Sequence, residues 1–115
     1  PILLLSGGET TVKVIGNGRG GRNTELMLSM AINLNKARNI SALAVDTDGI
    51  DGIEDNAGAY ISHETLNKAV FKKVNPQTYL DNNDSYSFFK KINDLIFTSP
   101  TLTNVNDFRA VLINP

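Results

Sequence analysis

The period of the hydrophobic positions changes several times along this chain, and each change marks an expected element. Ile2 to Leu5 is a continuous apolar run of the kind that forms a buried strand. Thr10 to Ile15 (TTVKVI) alternates β-branched positions and predicts a second strand with one face in solvent, joined to the first as a hairpin through Ser6-Gly7-Gly8. Met27, Met30, Ala31 and Leu34 then recur at helical spacing. Asn23 or Thr24 is placed to cap that helix, and Glu25 falls in its first turn, where a carboxylate favours the macrodipole. The helix is expected to fade near Asn39, before an apolar strand from Ile40 to Val45.

Ala57 to Lys73 reads as helical, with Leu66, Ala69 and Val70 on one side, and Pro76 interrupts it. Asp84 is placed to cap a helix through Ile92, with Tyr86, Phe89 and Ile92 facing inward. Leu95 to Phe97 and Phe108 to Ile113 are closing strands around a polar loop. The order β-β-α-β-α-α-β-β predicts a single α/β domain, a mixed β-sheet flanked by helices.

Composition narrows the chemistry. At 115 residues, with 41% hydrophobic and 20% charged residues, the chain suits one domain with a real core. A net charge of −1 argues against a general nucleic-acid binder. Absence of cysteine excludes disulfides, thiolate metal sites and cysteine nucleophiles, and a single histidine, His63, excludes a His-rich zinc site from this chain alone. No apolar run approaches a membrane span and no signal-peptide pattern is present, so the cytoplasm is the default expectation. The chain starts at Pro1 without an initiator Met, and an excised domain is expected.

The stretch GNGRGGRNTE, residues 16–25, carries the most chemistry. Gly16, Gly18 and Gly21 match G-x-G-x-x-G, but the strand expected before them looks half-exposed and no acidic residue follows at the right distance, so the dinucleotide match is weak. The Walker pattern is absent. Unhindered amides, Arg19, Arg22 and a helix N-terminus suit an anion such as phosphate or carboxylate; a solvated loop with two charges is the plainer alternative. In DTDGIDGIED, residues 46–55, five carboxylates crowd one turn, yet Ile50 breaks the calcium-loop pattern. Such oxygens suit magnesium with a nucleotide, or simply build turns. Residues 99–107 (SPTLTNVND) offer short polar side chains to a substrate's hydroxyls or to their own backbone.

Together LSGGETTVKVIGNGRGGRNTE, DTDGIDGIEDNAGA, NNDSYSFF and SPTLTNVND, in this order, resemble the MOFRL domain, the C-terminal domain of the glycerate 2-kinase family, some of whose members are called hydroxypyruvate reductases. The likeness covers nearly all of residues 1–115. It implies a larger two-domain enzyme whose Rossmann-like N-terminal domain is absent here, leaving the fragment alone inactive. It implies ATP and Mg2+ as cofactors and phosphorylation of D-glycerate to 2-phosphoglycerate in a cleft between the domains. The carried-over catalytic candidates are Arg19, Arg22, Asp48 and Asp51, with Asp48 or Asp51 near the metal. The substrate-binding candidates are Ser6, Gly7, Gly8, Glu9, Thr10, Gly20, Gly21, Asn23, Asn104 and Asp107. Departures fall at Asp46, Ser99 and Leu102, where the family usually has glycine. The partners expected are glycerate, nucleotide, the N-terminal domain and a possible second copy, with no nucleic acid or membrane. An NAD(P)-dependent hydroxypyruvate reductase and a non-catalytic binding or assembly domain are the alternatives.

Overall fold

The computed structural model describes residues 1–8 and 11–115. Its elements are β1 (Ile2–Gly7), α1 (Arg22–Leu34), β2 (Ile40–Asp46), β3 (Gly58–Ile61), α2 (Thr65–Phe71), α3 (Pro76–Asp81), α4 (Ser85–Ile92), β4 (Leu95–Ile96) and β5 (Asp107–Ile113). The five strands form one sheet in the order β1-β5-β2-β3-β4.

The α/β class is as expected, and three details of it are corrected. Every neighbouring pair is antiparallel, so the sheet is not mixed. The β1-α1-β2 succession does give two strands of the same direction, but β5 lies between them and runs against both. Residues 11–15 form no strand; a β-branched run without a ladder partner has nothing to hold it extended. The start of the expected Ala57–Lys73 helix is instead β3, because the apolar GAYI run pairs with β2 as the chain returns from the acidic turn.

Residues of β2 alternate so that Ala42, Ala44 and Asp46 point to one side. That side carries the core: Met27, Leu28 and Ala31 of α1, Phe88, Phe89 and Ile92 of α4, and Ala59 and Ile61 of β3. Small alanines on the sheet let α1 lie close to β2 and β3. Phe88 meets Phe89 edge-on at 5.1 Å and Tyr79 at 6.0 Å. Ala69 and Val70, expected on one side of the helix, part company: α2 buries Ala69 and leaves Val70 exposed. Pro76 starts α3, with Asn75 capping it through the Thr78 amide. The helix α1 stops at Leu34, where Asn35 turns left-handed, five residues before the expected Asn39.

The opposite face carries Leu3, Leu5, Leu43, Val45, Tyr60, Phe108 and Leu112 by register, and among the described residues no helix covers it. Leu3 and Leu5 are more than half exposed. Among the described residues, no helix is long and apolar enough to cross a membrane.

Candidate functional site

Of the expected site residues, Arg22, Asn23, Asp51 and Asp107 gather where α1 begins. This helix starts at Arg22 behind Gly21, which makes no side-chain cap, and neither Asn23 nor Thr24 caps it. The cap comes from far along the chain: Asp51, fully buried, accepts from the Asn23 amide at 3.0 Å and the Thr24 amide at 2.9 Å. A carboxylate there satisfies two orphan donors and complements the helix dipole. The Asn23 side-chain amide donates to Asp51 at 3.2 Å and to Asp107 at 3.1 Å. Asn23 Oδ1 is buried and has no partner among the described residues.

Arg22 grips Asp107 through two parallel bonds, Nε to Oδ2 at 2.6 Å and Nη2 to Oδ1 at 3.1 Å. Its Nη2 also donates to Asp46 Oδ2 at 3.0 Å. Both carboxylates are nearly buried. Burial holds the Asp46 carboxyl above its usual range, and the neighbouring charges of Asp48 and Asp107 add to that rise. Arg19 lies outside this cluster. Its guanidinium pairs with Glu54 at 2.8 Å and stacks 4.5 Å from the Tyr86 ring centroid; Glu54 raises its pKa further above the ordinary value. Both guanidinium charges are therefore matched by carboxylates.

The glycine loop serves a purpose the motif alone did not disclose. The amides of Ile15 and Gly16 donate to Asn83 Oδ1, that of Asn17 to Asn82 Oδ1, that of Gly18 to the Asn82 carbonyl and that of Arg19 to Asp84 Oδ1. A Cβ at Gly16 would lie 2.3 Å from the Asn82 carbonyl oxygen, and one at Gly18 2.3 Å from Asp84 Cβ. At Gly20 it would meet Ser85 Oγ at 2.3 Å, and at Gly21 Asp51 Oδ1 at 2.4 Å. The glycines let this backbone lie directly on the 82–85 turn and on Asp51. Asp84, expected to cap α4, makes no cap bond and serves the loop instead.

The other candidates fall nearby. Ser6, Gly7 and Gly8 wrap the Arg109 guanidinium: Nε donates to Ser6 Oγ, Nη2 to the Gly7 carbonyl and Nη1 to the Gly8 carbonyl. Glu9 and Thr10 lie outside the described residues. Ser6, Gly7, Thr47, Val105 and Asp107 line a cavity of about 340 Å³, and Arg22 lines a neighbouring one of about 240 Å³. Asn104 is exposed, and its Oδ1 accepts from the Asn106 amide. Asp48 caps the Ile50 amide at 2.8 Å beside Asp46. Arg109, Asn82, Asn83, Asp84 and Thr47 were not anticipated as site residues. Their only advance signal was membership of the NNDSYSFF, DTDG and closing-strand segments.

A magnesium ion has a restricted fit. Among the described residues no three His, Cys, Asp or Glu side chains group to hold a metal. Both Asp51 oxygens already accept amide hydrogens in a buried place, which removes Asp51 as a ligand. Asp48 beside Asp46 suits an ion held mainly by phosphates and water.

Comparison with known proteins places this arrangement. The model of the MOFRL family matches residues 2–107. The chain is 46% identical to D-glycerate 2-kinase of Thermotoga maritima. The crystal structure of that organism's glycerate kinase superposes with a TM-score of 0.95, covering 98% of this chain and 27% of that one. It is 38% identical to the glycerate kinase of Rattus norvegicus, covering 100% of this chain and 23% of the relative. An Agrobacterium vitis protein that is 55% identical, with 98% and 30% covered, carries a provisional hydroxypyruvate reductase name. The chain thus spans about a quarter of the length of the relatives it matches.

Proposed function

Because this chain belongs to the MOFRL family, we propose that it is the C-terminal domain of an ATP-dependent glycerate kinase that converts D-glycerate to 2-phosphoglycerate. The observation carrying this reading is the braced Arg22–Asp107–Asp46 cluster beside the Ser6–Gly8 turn and its cavity. Phosphoryl transfer asks a protein mainly for positioning and charge stabilisation. Arg22 is the fixed guanidinium and meets the glycerate carboxylate or the charge developing on the phosphoryl group; Arg19, 58% exposed, is held less firmly. Asp48 accepts the proton of the attacking hydroxyl or helps hold magnesium. Bound magnesium–ATP would supply the phosphoryl group and neutralise part of its charge. Asp51 keeps its place under α1, so the dipole of that helix is spent on the protein's own carboxylate. Glycerate and nucleotide lie between this domain and an N-terminal domain that supplies the other wall of the cleft.

In the complete protein, D-glycerate, ATP and Mg2+ should give ADP, and phosphorus NMR should identify 2-phosphoglycerate. Arg22→Ala should lower kcat/KM on the order of 30- to 1000-fold, with circular dichroism confirming the fold. Oxidation of NADH by hydroxypyruvate with no ADP formed would replace the kinase reading with the reductase one. The geometry gives the reductase little support: residues 11–15, just ahead of the glycine loop, form no strand, and the amides at 16–19 are already bonded to 82–84.

A further inference from the structure

Residues 98–106 contain no glycine, yet Ser99, Leu102 and Asn106 have φ of 63°, 61° and 69°. Left-handed backbone at non-glycine residues persists only where the surroundings over-determine it. Most of those restraints trace to Thr47, an unassigned residue between Asp46 and Asp48. Its amide donates to the Asn106 carbonyl at 3.1 Å, and its hydroxyl donates to the same carbonyl at 2.6 Å. The hydroxyl also accepts from the Val105 amide at 2.9 Å. The Thr47 carbonyl accepts from Thr101 Oγ1 at 2.5 Å. One residue thus holds the loop at positions 101, 105 and 106. Gly49 completes the seat, since a Cβ there would lie 2.2 Å from the Ser99 carbonyl oxygen.

We propose that Thr47 is a positioning residue: it holds the strained 101–106 segment beside Asp48 and Asp107, acting through that loop and not by touching substrate. Thr47 and Asp107 line the same cavity, so the loop's position sets that cavity's shape. The kinetic side of this proposal rests on the kinase reading; the structural side does not.

The test uses Thr47→Val, which keeps the shape and removes the hydroxyl, and Thr47→Ser, which keeps the hydroxyl. In Thr47→Val the Val105 amide should exchange on the order of ten-fold faster, while Thr47→Ser stays within about two-fold of wild type. In the complete protein, Thr47→Val should raise KM for D-glycerate more than it lowers kcat, and Thr47→Ser should restore both. Should Thr47→Val fail to fold, Thr101→Val loosens the same loop from its other side. Unchanged Val105 exchange overturns the proposal. A loosened loop with unchanged kinetic constants overturns the positioning role. If wild type transfers no phosphoryl group, the kinase reading fails, and Val105 exchange still decides whether Thr47 holds the loop.

Discussion

Two loops flank the start of α1, and they solve backbone problems in opposite ways. Residues 16–21 have four glycines and lie against another part of the chain so closely that an added Cβ at any of the four has no place. Residues 98–106 have no glycine and bend through left-handed φ at three positions, with Leu102 almost wholly exposed. The first loop is specified by close approach and by its bonds to 82–84. The second is specified by hydrogen bonds from Thr47 that hold a costly backbone. In residues 16–21 glycine therefore marks intimate packing, whereas the left-handed torsions of residues 98–106 occur where no glycine announces them.

The sharpest way to break the first region is through its anchor. Asp51→Ala should strand the Asn23 and Thr24 amides and cost about 3–5 kcal/mol, read as a large drop in melting temperature or failure to fold. If stability is unchanged, Asp51 is not the cap of α1. Next in size, Gly16→Ala or Gly18→Ala should each cost about 1–3 kcal/mol by overpacking against 82–84 in urea unfolding. A loop that merely tolerates glycine would lose almost nothing.

The second region should respond in the other direction. Ser99→Gly or Leu102→Gly should stabilise by about 0.5–1 kcal/mol, as relief of left-handed strain outweighs the added freedom of the unfolded chain. Destabilisation in both would mean that the side chains, and not the torsions, hold that loop.

Asp46, at the junction of the two regions, carries the smallest predicted effect. Burial raises its folded-state pKa, so the folded protein binds this proton more tightly than the unfolded chain does. Its contribution to stability is then fully present below the ordinary carboxylate pKa and is lost as pH rises through the raised folded value. Asp46→Asn removes that dependence, and Arg22 keeps Asp107. The stability of Asp46→Asn relative to wild type should therefore grow as pH rises across the acidic range, measured by thermal unfolding at a series of pH values. A constant difference would contradict the assignment.

Much of the frame was legible in advance. The i, i+3, i+4 pattern from Met27 places α1, and Phe89 and Ile92 place the inner face of α4, because periodicity is a local property. The exchange of a hairpin for β3 was not legible. TTVKVI has better strand chemistry than GAYI, but pairing depends on which backbone arrives alongside β2. At the site, Arg22, Asn23, Asp51 and Asp107 come from segments that the resemblance singled out. That Asp51 is the cap of α1, and that both arginines already have carboxylate partners, depends on contacts between residues 24 to 85 positions apart.

Local pattern and composition specify the α/β class, the helices α1 and α4, the cysteine-free chemistry and the segments that carry polar side chains to one end of the sheet. Which carboxylate faces which guanidinium, why the glycines are needed, and which residue holds the 98–106 loop emerge only once the chain has folded. The division has a physical cause. Periodicity and propensity act between near neighbours, whereas desolvation, close approach and ion pairing depend on distances that exist only after β5 has slotted between β1 and β2.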